Sequence, residues 1–229
     1  MNQVTNYLYT KQDLQHAREE RDRRNWENDF PHQDLWRKSD ALVKWVGVLE
    51  RFEYLYNDTD GLKVVDLGSA RGCVPHIISS WGHDVTCVDT PKTGGRLDHD
   101  CVGSKAKMVE SNVWDWFPLV EDESVDVFLD LCAITHFCGR TGVCPDGQTV
   151  LNNVFRETYR CLKPMGTFII SSDCQLDSED GEFVSPDTFV KAAEAQGFKR
   201  VGWWEHRDKD LFRVPGEPHL NVCSLTFVK

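Results

Sequence analysis

The sequence predicts an α/β protein built as a doubly wound, mostly parallel sheet with helices on both faces. Short apolar runs alternate with helical stretches from residue 62 onward, and this alternation is typical of parallel sheets with crossover helices. The run at 124–131 is apolar enough to be a strand that is buried on both faces. With 229 residues, of which 40% are hydrophobic, the chain can form a sizeable core without disulfides or structural metal.

Residues 1–60 are predicted to form a helical extension in front of the main domain, which spans 61–229. Thr10 and Asp13 have the spacing of a helix N-cap followed by an early acid. A second helix is predicted from Ser39 or Asp40, because apolar residues recur after it at helical spacing. These residues are Leu42, Trp45, Val46, Leu49 and Phe52. The pattern leaves open whether the extension is a cap, an acceptor-binding element or a dimer arm.

The main domain carries alternating strand and helix patterns. The predicted strands lie at 62–67, 84–89, 106–111, 124–131, 166–173, 198–206 and 221–229. Helices are predicted at 73–82 and 149–162. A third helix begins at Pro186, a favoured first helical residue, and ends near Gly197.

Composition and charge argue against several classes of protein. No apolar run approaches the roughly 20 residues that a membrane-spanning helix needs, so no membrane span is expected. The first residues lack a basic stretch followed by an apolar one, so no secretory signal is predicted. Nine cysteines without a CxxC pair indicate reduced thiols, and we expect a cytoplasmic protein. A formal net charge of −11 repels polyanions and argues against nucleic acid as a partner.

The strongest functional motif is VVDLGSARG, which joins the first strand of the main domain to its first helix. Asp66 closes the strand, and Gly68 and Gly72 bracket a tight turn that also contains Ser69 and Ala70. Glycine permits unusual backbone angles and a close approach of the chain to a ligand. In a doubly wound sheet this turn lies at the carboxyl ends of the strands, where ligands bind.

The second strand ends in another acid, Asp89, which is placed to accept hydrogen bonds from the hydroxyls of a ribose. A dinucleotide-binding turn would prefer G-x-G-x-x-G, but Ala70 and Cys73 stand where two of those glycines would be. Asp66 also opposes a pyrophosphate and suits a cationic ligand. S-adenosylmethionine (SAM) carries a sulfonium and an ammonium group, so the motif favours SAM over NAD.

With these motifs the chain resembles class I, Rossmann-like SAM-dependent methyltransferases of the small type 11/12 methyltransferase domain. The matching segments are DLGSARG at 66–72, VTCVD at 85–89, ESN at 110–112, ESVDVFLDLCAITHF at 123–137, LKPMGTFIISSD at 162–173 and AAEAQGFKRV at 192–201. The resemblance implies a seven-stranded sheet in the order 3-2-1-4-5-7-6, with strand 7 antiparallel. Ala70 departs from the family's second glycine, and Asn112 stands where many members have Asp.

The resemblance also implies a set of cofactor-binding residues. Backbone contacts to the methionine part are expected around Gly68–Ala70, ribose contacts at Asp89, and adenine contacts at Asn112 and Val113. The complete set is Asp66, Gly68, Ser69, Ala70, Gly72, Asp89, Thr90, Asn112, Val113, Asp130 and Leu131. S-adenosylhomocysteine is the product that this chemistry leaves behind.

Two residues are candidates for catalysis, one near the end of the fourth strand and one just beyond it. A hydroxyl acceptor must lose its proton, best to a base whose pKa lies near the working pH. His136 is the first candidate base, and Asp130 is the second unless it only positions the cofactor. Cys132, His136, Cys138 and Cys144 have the spacing C-x3-H-x-C-x5-C, which is not a standard zinc signature. Asp130 with His136 could instead help to hold Mg²⁺, so a divalent metal stays open but is not expected.

These observations predict a SAM-dependent methyltransferase that acts on a small molecule, at a hydroxyl of a sugar-like or phenolic acceptor. The choice of oxygen over nitrogen depends on His136 alone. A non-catalytic SAM-fold binding or partner subunit stays open because Ala70 adds a methyl group close to the ligand. A protein methyltransferase also stays open. An NAD-dependent oxidoreductase is a further alternative that requires dinucleotide binding.

Overall fold

A computed structural model describes residues 5–26, 38–69, 72–90, 105–137, 147–174, 185–205 and 211–229. The strands are β1 (Thr5–Leu8), β2 (Lys63–Leu67), β3 (Asp84–Asp89), β4 (Lys107–Glu110), β5 (Val125–Leu131), β6 (Leu162–Cys174), β7 (Lys199–Arg200), β8 (Trp203–Glu205), β9 (Arg213–Val214) and β10 (Glu217–Val228). The helices are α1 (Lys11–Arg23), α2 (Ser39–Tyr56), α3 (Val74–Ser80), α4 (Val113–Trp116), α5 (Ala133–Thr135), α6 (Gly147–Cys161) and α7 (Pro186–Glu194), and a short 3-10 helix covers Phe117–Leu119.

The described strands form one mixed sheet whose centre is parallel. Strands β4, β3, β2, β5 and β6 lie side by side in this order and are parallel to one another. The next strand, β10, is antiparallel to β6 along eight residue pairs. This part of the sheet confirms the expected order 3-2-1-4-5-7 and the antiparallel seventh strand. It also brings the carboxyl ends of β2, β3 and β5 to one edge.

The outer part of the sheet differs from the seven strands that the resemblance implies. The described residues form ten strands, and β1 from the amino-terminal segment lies between β10 and β8. Strand β10 is twelve residues long, so its outer side offers more backbone groups than one short strand can pair. Both β7 and β1 pair with it, and an otherwise exposed strand edge is thereby covered.

The buried side chain of Asn6 joins these short strands. Its Nδ2 donates to the carbonyl of Val201 at 2.8 Å, and its Oδ1 accepts from the backbone N–H of Thr226 at 2.8 Å. The amide therefore supplies hydrogen bonds where β7 and β8 are interrupted. The beginning of the extension is consequently a strand of the sheet rather than a helix.

The two helices of the amino-terminal segment form as predicted. Thr10 caps α1, because its Oγ1 accepts from the N–H of Asp13 at 3.3 Å while Asp13 Oδ2 accepts from the N–H of Thr10 at 2.6 Å. Helix α2 begins at Ser39. Its predicted apolar residues are all buried against the sheet and α3; they are Leu42, Trp45, Val46, Leu49 and Phe52.

Helices cover both faces of the sheet. On one face α2 and α3 pack apolar side chains such as Leu49 and Ile77 against Val127. On the other face Phe155 of α6 packs edge-on against Phe168, with ring centroids 5.5 Å apart. The doubly wound α/β class is confirmed. Among the described residues no helix is both long and apolar enough to cross a membrane.

Candidate cofactor site and active site

The turn after β2 accepts only glycine at Gly68. Its φ of +66° lies in the left-handed region, and its N–H donates to the carbonyl of Val88 at 2.7 Å. A Cβ at this position would overlap the Cβ of Ala133 at the start of α5. The N–H of Gly72 closes the turn by donating to the carbonyl of Ser69 at 2.8 Å. Ala70, which the resemblance places in the same turn, lies outside the described residues.

The carboxylate of Asp66, just before this turn, is buried without a hydrogen-bond partner among the described residues. The residue has no exposed surface, and neither Oδ1 nor Oδ2 has a hydrogen-bond partner among the described residues. The hydroxyl of Ser69 lacks a partner in the same way. Burial, followed by the nearby Asp130 and Asp89, raises the pKa of Asp66 well above its usual range. Such unpartnered buried groups are costly to a fold and mark a place for a ligand.

Asp130 is the corresponding acid at the end of β5, and only half of it is satisfied. Its Oδ1 accepts from the N–H groups of Ala133 and Ile134, both at 2.9 Å, whereas Oδ2 has no partner among the described residues. Burial raises the pKa of Asp130 to about 7, although the two backbone hydrogen bonds and Lys44 act in the opposite direction. The carboxyl group is therefore close to its ionisation midpoint at neutral pH.

Two further predicted residues, Asp89 and Thr90, lie at the carboxyl end of β3, at the same edge of the sheet. Asp89 is 7% exposed, and its Oδ1 accepts from the N–H of Thr90 at 2.6 Å. The carbonyl of Asp89 accepts from the N–H of Ser111 at 2.9 Å. This bond places the turn after β4 beside the end of β3.

That neighbouring turn contains Asn112 and Val113. The side chain of Asn112 is exposed, and its Oδ1 accepts from the N–H of Trp114 at 3.0 Å as the N-cap of α4. Val113 is buried. Asparagine is a favoured N-cap residue, so the pattern of Asn before an apolar pair could have indicated this role.

The predicted base, His136, lies at the end of the short helix α5, and its side chain is exposed. The next residue, Phe137, places its Cζ 3.5 Å from where a Cβ of Gly68 would be. The α5 segment therefore covers the turn after β2 and carries His136 to the same edge as Asp66. Leu131 is partly buried at the end of β5. The structure thus brings together the described predicted residues at the ends of β2, β3 and β5.

Sequence reasoning missed a buried ion pair at this edge. The Nζ of Lys44, on α2, lies 3.0 Å from Oδ1 of Asp173 near the end of β6. The thiol of Cys132 donates to the other oxygen of Asp173, with Sγ 3.1 Å from Oδ2. Lys44 lies within the apolar run ALVKWVGVL and Asp173 closes the fifth-strand motif. A charge in each apolar run is the signal that could have pointed to the pair.

The residues that the spacing suggested as metal ligands do not form a cluster in the described part of the chain. There, no three His, Cys, Asp or Glu side chains are grouped as metal ligands would be. Cys132 instead bonds Asp173, and Cys138 and Cys144 lie outside the described residues.

The comparison of sequences decides the class of the domain. A family model described as a methyltransferase domain matches residues 65–170. These residues are a class I, SAM-dependent methyltransferase domain. No curated protein of similar sequence is found.

Solved structures share the fold of this methyltransferase at low sequence identity. A SAM-dependent methyltransferase from Archaeoglobus fulgidus has a TM-score of 0.58 and 17% identity, over 90% of this chain and 99% of that one. A TehB-like SAM-dependent methyltransferase from Corynebacterium glutamicum has a TM-score of 0.53 and 16% identity, over 96% and 98%. A phosphoethanolamine N-methyltransferase 2 from Haemonchus contortus, crystallised with S-adenosyl-L-methionine, has a TM-score of 0.54 and 15% identity, over 81% and 52%.

The residues at the carboxyl edge of the methyltransferase domain fit SAM in their chemistry. Asp66 and Asp130 hold three carboxylate oxygens without partners in the described chain, and SAM has two cationic groups that such oxygens can bind. Glycine at position 68 lets the backbone approach a ligand, because no side chain projects from it. The acidic Asp89 on the neighbouring strand is the residue type that binds a ribose.

Proposed function

We propose that the protein transfers the methyl group of SAM to a hydroxyl of a small-molecule acceptor of the sugar-like or phenolic kind. One observation carries this proposal. Both carboxylate oxygens of Asp66 and Oδ2 of Asp130 lack partners among the described residues beside the Gly68 turn, and the exposed His136 lies on the segment that covers the same turn. A cation-binding site and an accessible base therefore share one edge of the sheet.

The cofactor would be held by groups from three strand ends. The Gly68 turn would contact its methionine part, Asp89 its ribose, and the segment at Asn112–Val113 its adenine. When bound, SAM supplies an electrophilic methyl group on a sulfonium with a good leaving group. The protein's main task is then to hold the acceptor in line at about 3–3.5 Å. A cationic ligand next to Asp66 also favours the ionised carboxylate and lowers its raised pKa.

The proposed base acts on the acceptor rather than on the cofactor. An exposed imidazole can accept the hydroxyl proton on a ring nitrogen and release it to water afterwards. Asp130 is less suited to this task, since one of its oxygens is already bound to the N–H groups of Ala133 and Ile134. We therefore assign Asp130 to positioning and His136 to proton removal.

An amine acceptor is the second candidate, and the charge at the site favours it. Asp66, Asp89, Asp130 and Asp173 lie at this edge of the sheet. The ammonium group of Lys44 at the same edge is paired with Asp173. An acidic edge attracts a cationic acceptor, and one structural neighbour is a phosphoethanolamine N-methyltransferase.

Calorimetric titration with SAM and with S-adenosylhomocysteine tests the cofactor part first. We expect micromolar binding of both ligands, at one site per chain. A protein that binds neither ligand would be a non-catalytic relative, and its protein partners would be sought instead. Radiolabelled SAM is then offered with panels of hydroxyl, amine and protein acceptors, which separates the two candidates and the protein methyltransferase.

Replacement of the proposed base tests the mechanism. We expect His136→Ala to lower turnover of a hydroxyl acceptor about 100-fold or more, while the Kd for S-adenosylhomocysteine stays unchanged. His16→Ala is the matched control, because His16 is also exposed and lies in the amino-terminal helices, where it pairs with Glu50 at 2.7 Å. Full activity of His136→Ala on the true acceptor would show that His136 is not the base.

A further inference from the structure

The ion pair of Lys44 and Asp173 lies outside the part of the chain that matches the methyltransferase family model, which ends at residue 170. Lys44 comes from α2, whereas Asp173 lies near the end of β6, and the two are 129 positions apart. Both side chains are less than 10% exposed. Burying charged groups is costly, so the presence of this buried pair requires an explanation.

The pair reaches the cofactor edge through Cys132. This residue has a φ of +75°, which is unusual for a residue with a side chain. Its thiol is bonded to Asp173, and its carbonyl accepts from Oγ1 of Thr135 at 3.0 Å. The left-handed turn at Cys132 directs the N–H groups of Ala133 and Ile134 toward Asp130. A continuous series of contacts therefore leads from Lys44 to the carboxylate of Asp130.

The same lysine also acts on Asp130 through its charge. Burial lowers the pKa of Lys44, but its acidic neighbours, above all Cys132 and Asp173, outweigh burial and the pKa is raised. The ammonium form is therefore retained, and its charge lowers the pKa of Asp130 against the effect of burial. Among the described residues, the other titratable groups around this edge include Asp66 on β2, Asp89 on β3, Glu110 on β4, Asp173 on β6, Cys132 after β5 and His136 after α5. Asp40 also faces Lys44, at 3.7 Å.

We propose that Lys44 is a positioning residue of the cofactor site. Its ammonium group, held against Asp173, fixes the turn that orients Asp130 and favours the charged form of that carboxylate, which binds a cation. The amino-terminal segment thus completes the cofactor site rather than only covering the sheet. The value of this arrangement for catalysis rests on the proposed function, but the effect of Lys44 on Asp130 exists without any ligand.

The decisive measurement is therefore the titration of Asp130 in the ligand-free protein. Aspartate is labelled with ¹³C at the carboxyl carbon, the Asp130 signal is assigned with Asp130→Asn, and its midpoint is followed by NMR. In the unaltered protein we expect a midpoint at about 7. We expect Lys44→Met to raise it by roughly one pH unit, whereas Lys44→Arg keeps the charge and restores the midpoint.

Lys163→Met is the matched control. Lys163 also pairs with an aspartate on a neighbouring strand, Asp126, at 2.8 and 2.9 Å, but at the opposite edge of the sheet. It should leave the Asp130 midpoint unchanged. Because Lys44→Met leaves Asp173 buried without its partner, the double variant Lys44→Met/Asp173→Asn removes both charges and protects the fold. An unmoved Asp130 midpoint in folded Lys44→Met would overturn the proposal. In the double variant the two lost charges act on Asp130 in opposite directions, so there the contradicting result is unchanged binding of S-adenosylhomocysteine.

Binding of S-adenosylhomocysteine between pH 5.5 and 9 gives the second readout. In the unaltered protein we expect the affinity for S-adenosylhomocysteine to fall as the pH is lowered and Asp130 takes up a proton. In Lys44→Met this loss of affinity should begin at a higher pH. A uniform loss at every pH, with the Asp130 midpoint unmoved, would identify Lys44 as a packing residue only. Absence of binding by the unaltered protein would contradict the proposed function, and the NMR titration would still decide the role of Lys44.

Discussion

The two edges of the sheet treat their aspartates in opposite ways. At the amino end of β5, Asp126 accepts from Nζ of Lys163 at 2.8 Å and from the N–H of Lys63 at 2.9 Å. Four residues later on the same strand, Asp130 is buried with one oxygen unpartnered within the described chain, and Asp66 beside it has two. The same residue type therefore stabilises the fold at one edge and costs stability at the other.

The contrast indicates that carboxylates which stabilise the fold lie at one edge of the sheet, whereas carboxylates which serve function lie at the other. Paired, partly exposed carboxylates contribute modestly to folding. Buried, unpartnered carboxylates raise the free energy of the folded state, and a protein retains such groups where activity requires them. Substitutions at Gly68, Asp66 and Asp126 test this contrast between the edges.

Gly68→Ala should have the largest effect, at the carboxyl edge. A side chain at φ +66° costs about 1–2 kcal/mol, and its overlap with Ala133 adds about 1–3 kcal/mol. We expect the free energy of unfolding in urea to fall by about 3 kcal/mol. Binding of S-adenosylhomocysteine should be lost, since α5 must move away from the turn.

Gly61→Ala is the control for this variant. Gly61 has a similar φ of +70°, but a Cβ there would meet no atom within 4 Å among the described residues. It should cost only the backbone strain of about 1–2 kcal/mol and leave ligand binding intact. Equal losses in the two variants would show that the contact between Gly68 and α5 does not constrain the turn.

Asp66→Asn should produce the opposite sign in stability. The pKa of Asp66 is raised in the folded protein, so its contribution to stability is fully present below the unfolded pKa of about 3.9 and is lost as the pH rises toward the folded pKa. Asparagine does not titrate. The variant should therefore gain stability over the unaltered protein as the pH rises from 4 to 8, by at least about 1.4 kcal/mol, the equivalent of one pKa unit.

The same variant should bind SAM more weakly, by roughly 10- to 100-fold, because a charge-assisted hydrogen bond is lost. Urea unfolding at several pH values and calorimetry with SAM measure the two effects. A variant that is less stable than the unaltered protein at pH 8, or that binds SAM equally well, would contradict the assignment of Asp66 to the ligand.

The sequence could predict the carboxyl edge because its features are local. Gly68 and Asp66 lie within one strand and its turn, and alternating apolar runs reveal where each strand ends. The insertion of β1 could not be predicted in this way, since Asn6 and Thr226 are 220 positions apart and no periodicity links them. The pairing of Lys44 with Asp173 depends on the same kind of distant contact. Such contacts form through tertiary packing, which overrides local propensity.

Asp126→Asn should have the smallest effect, at the amino edge. The amide oxygen still accepts from the N–H of Lys63, and only the attraction to the half-exposed Lys163 is lost. We expect the free energy of unfolding to fall by no more than about 1 kcal/mol, with the Kd for S-adenosylhomocysteine unchanged. Asp126 and Asp130 share one strand, so a change of Kd comparable with that of Asp66→Asn would mean that strand β5 transmits charge effects along its whole length. The two edges would then not be independent, and the unpartnered oxygens at the carboxyl edge could not be assigned a function separate from the amino edge.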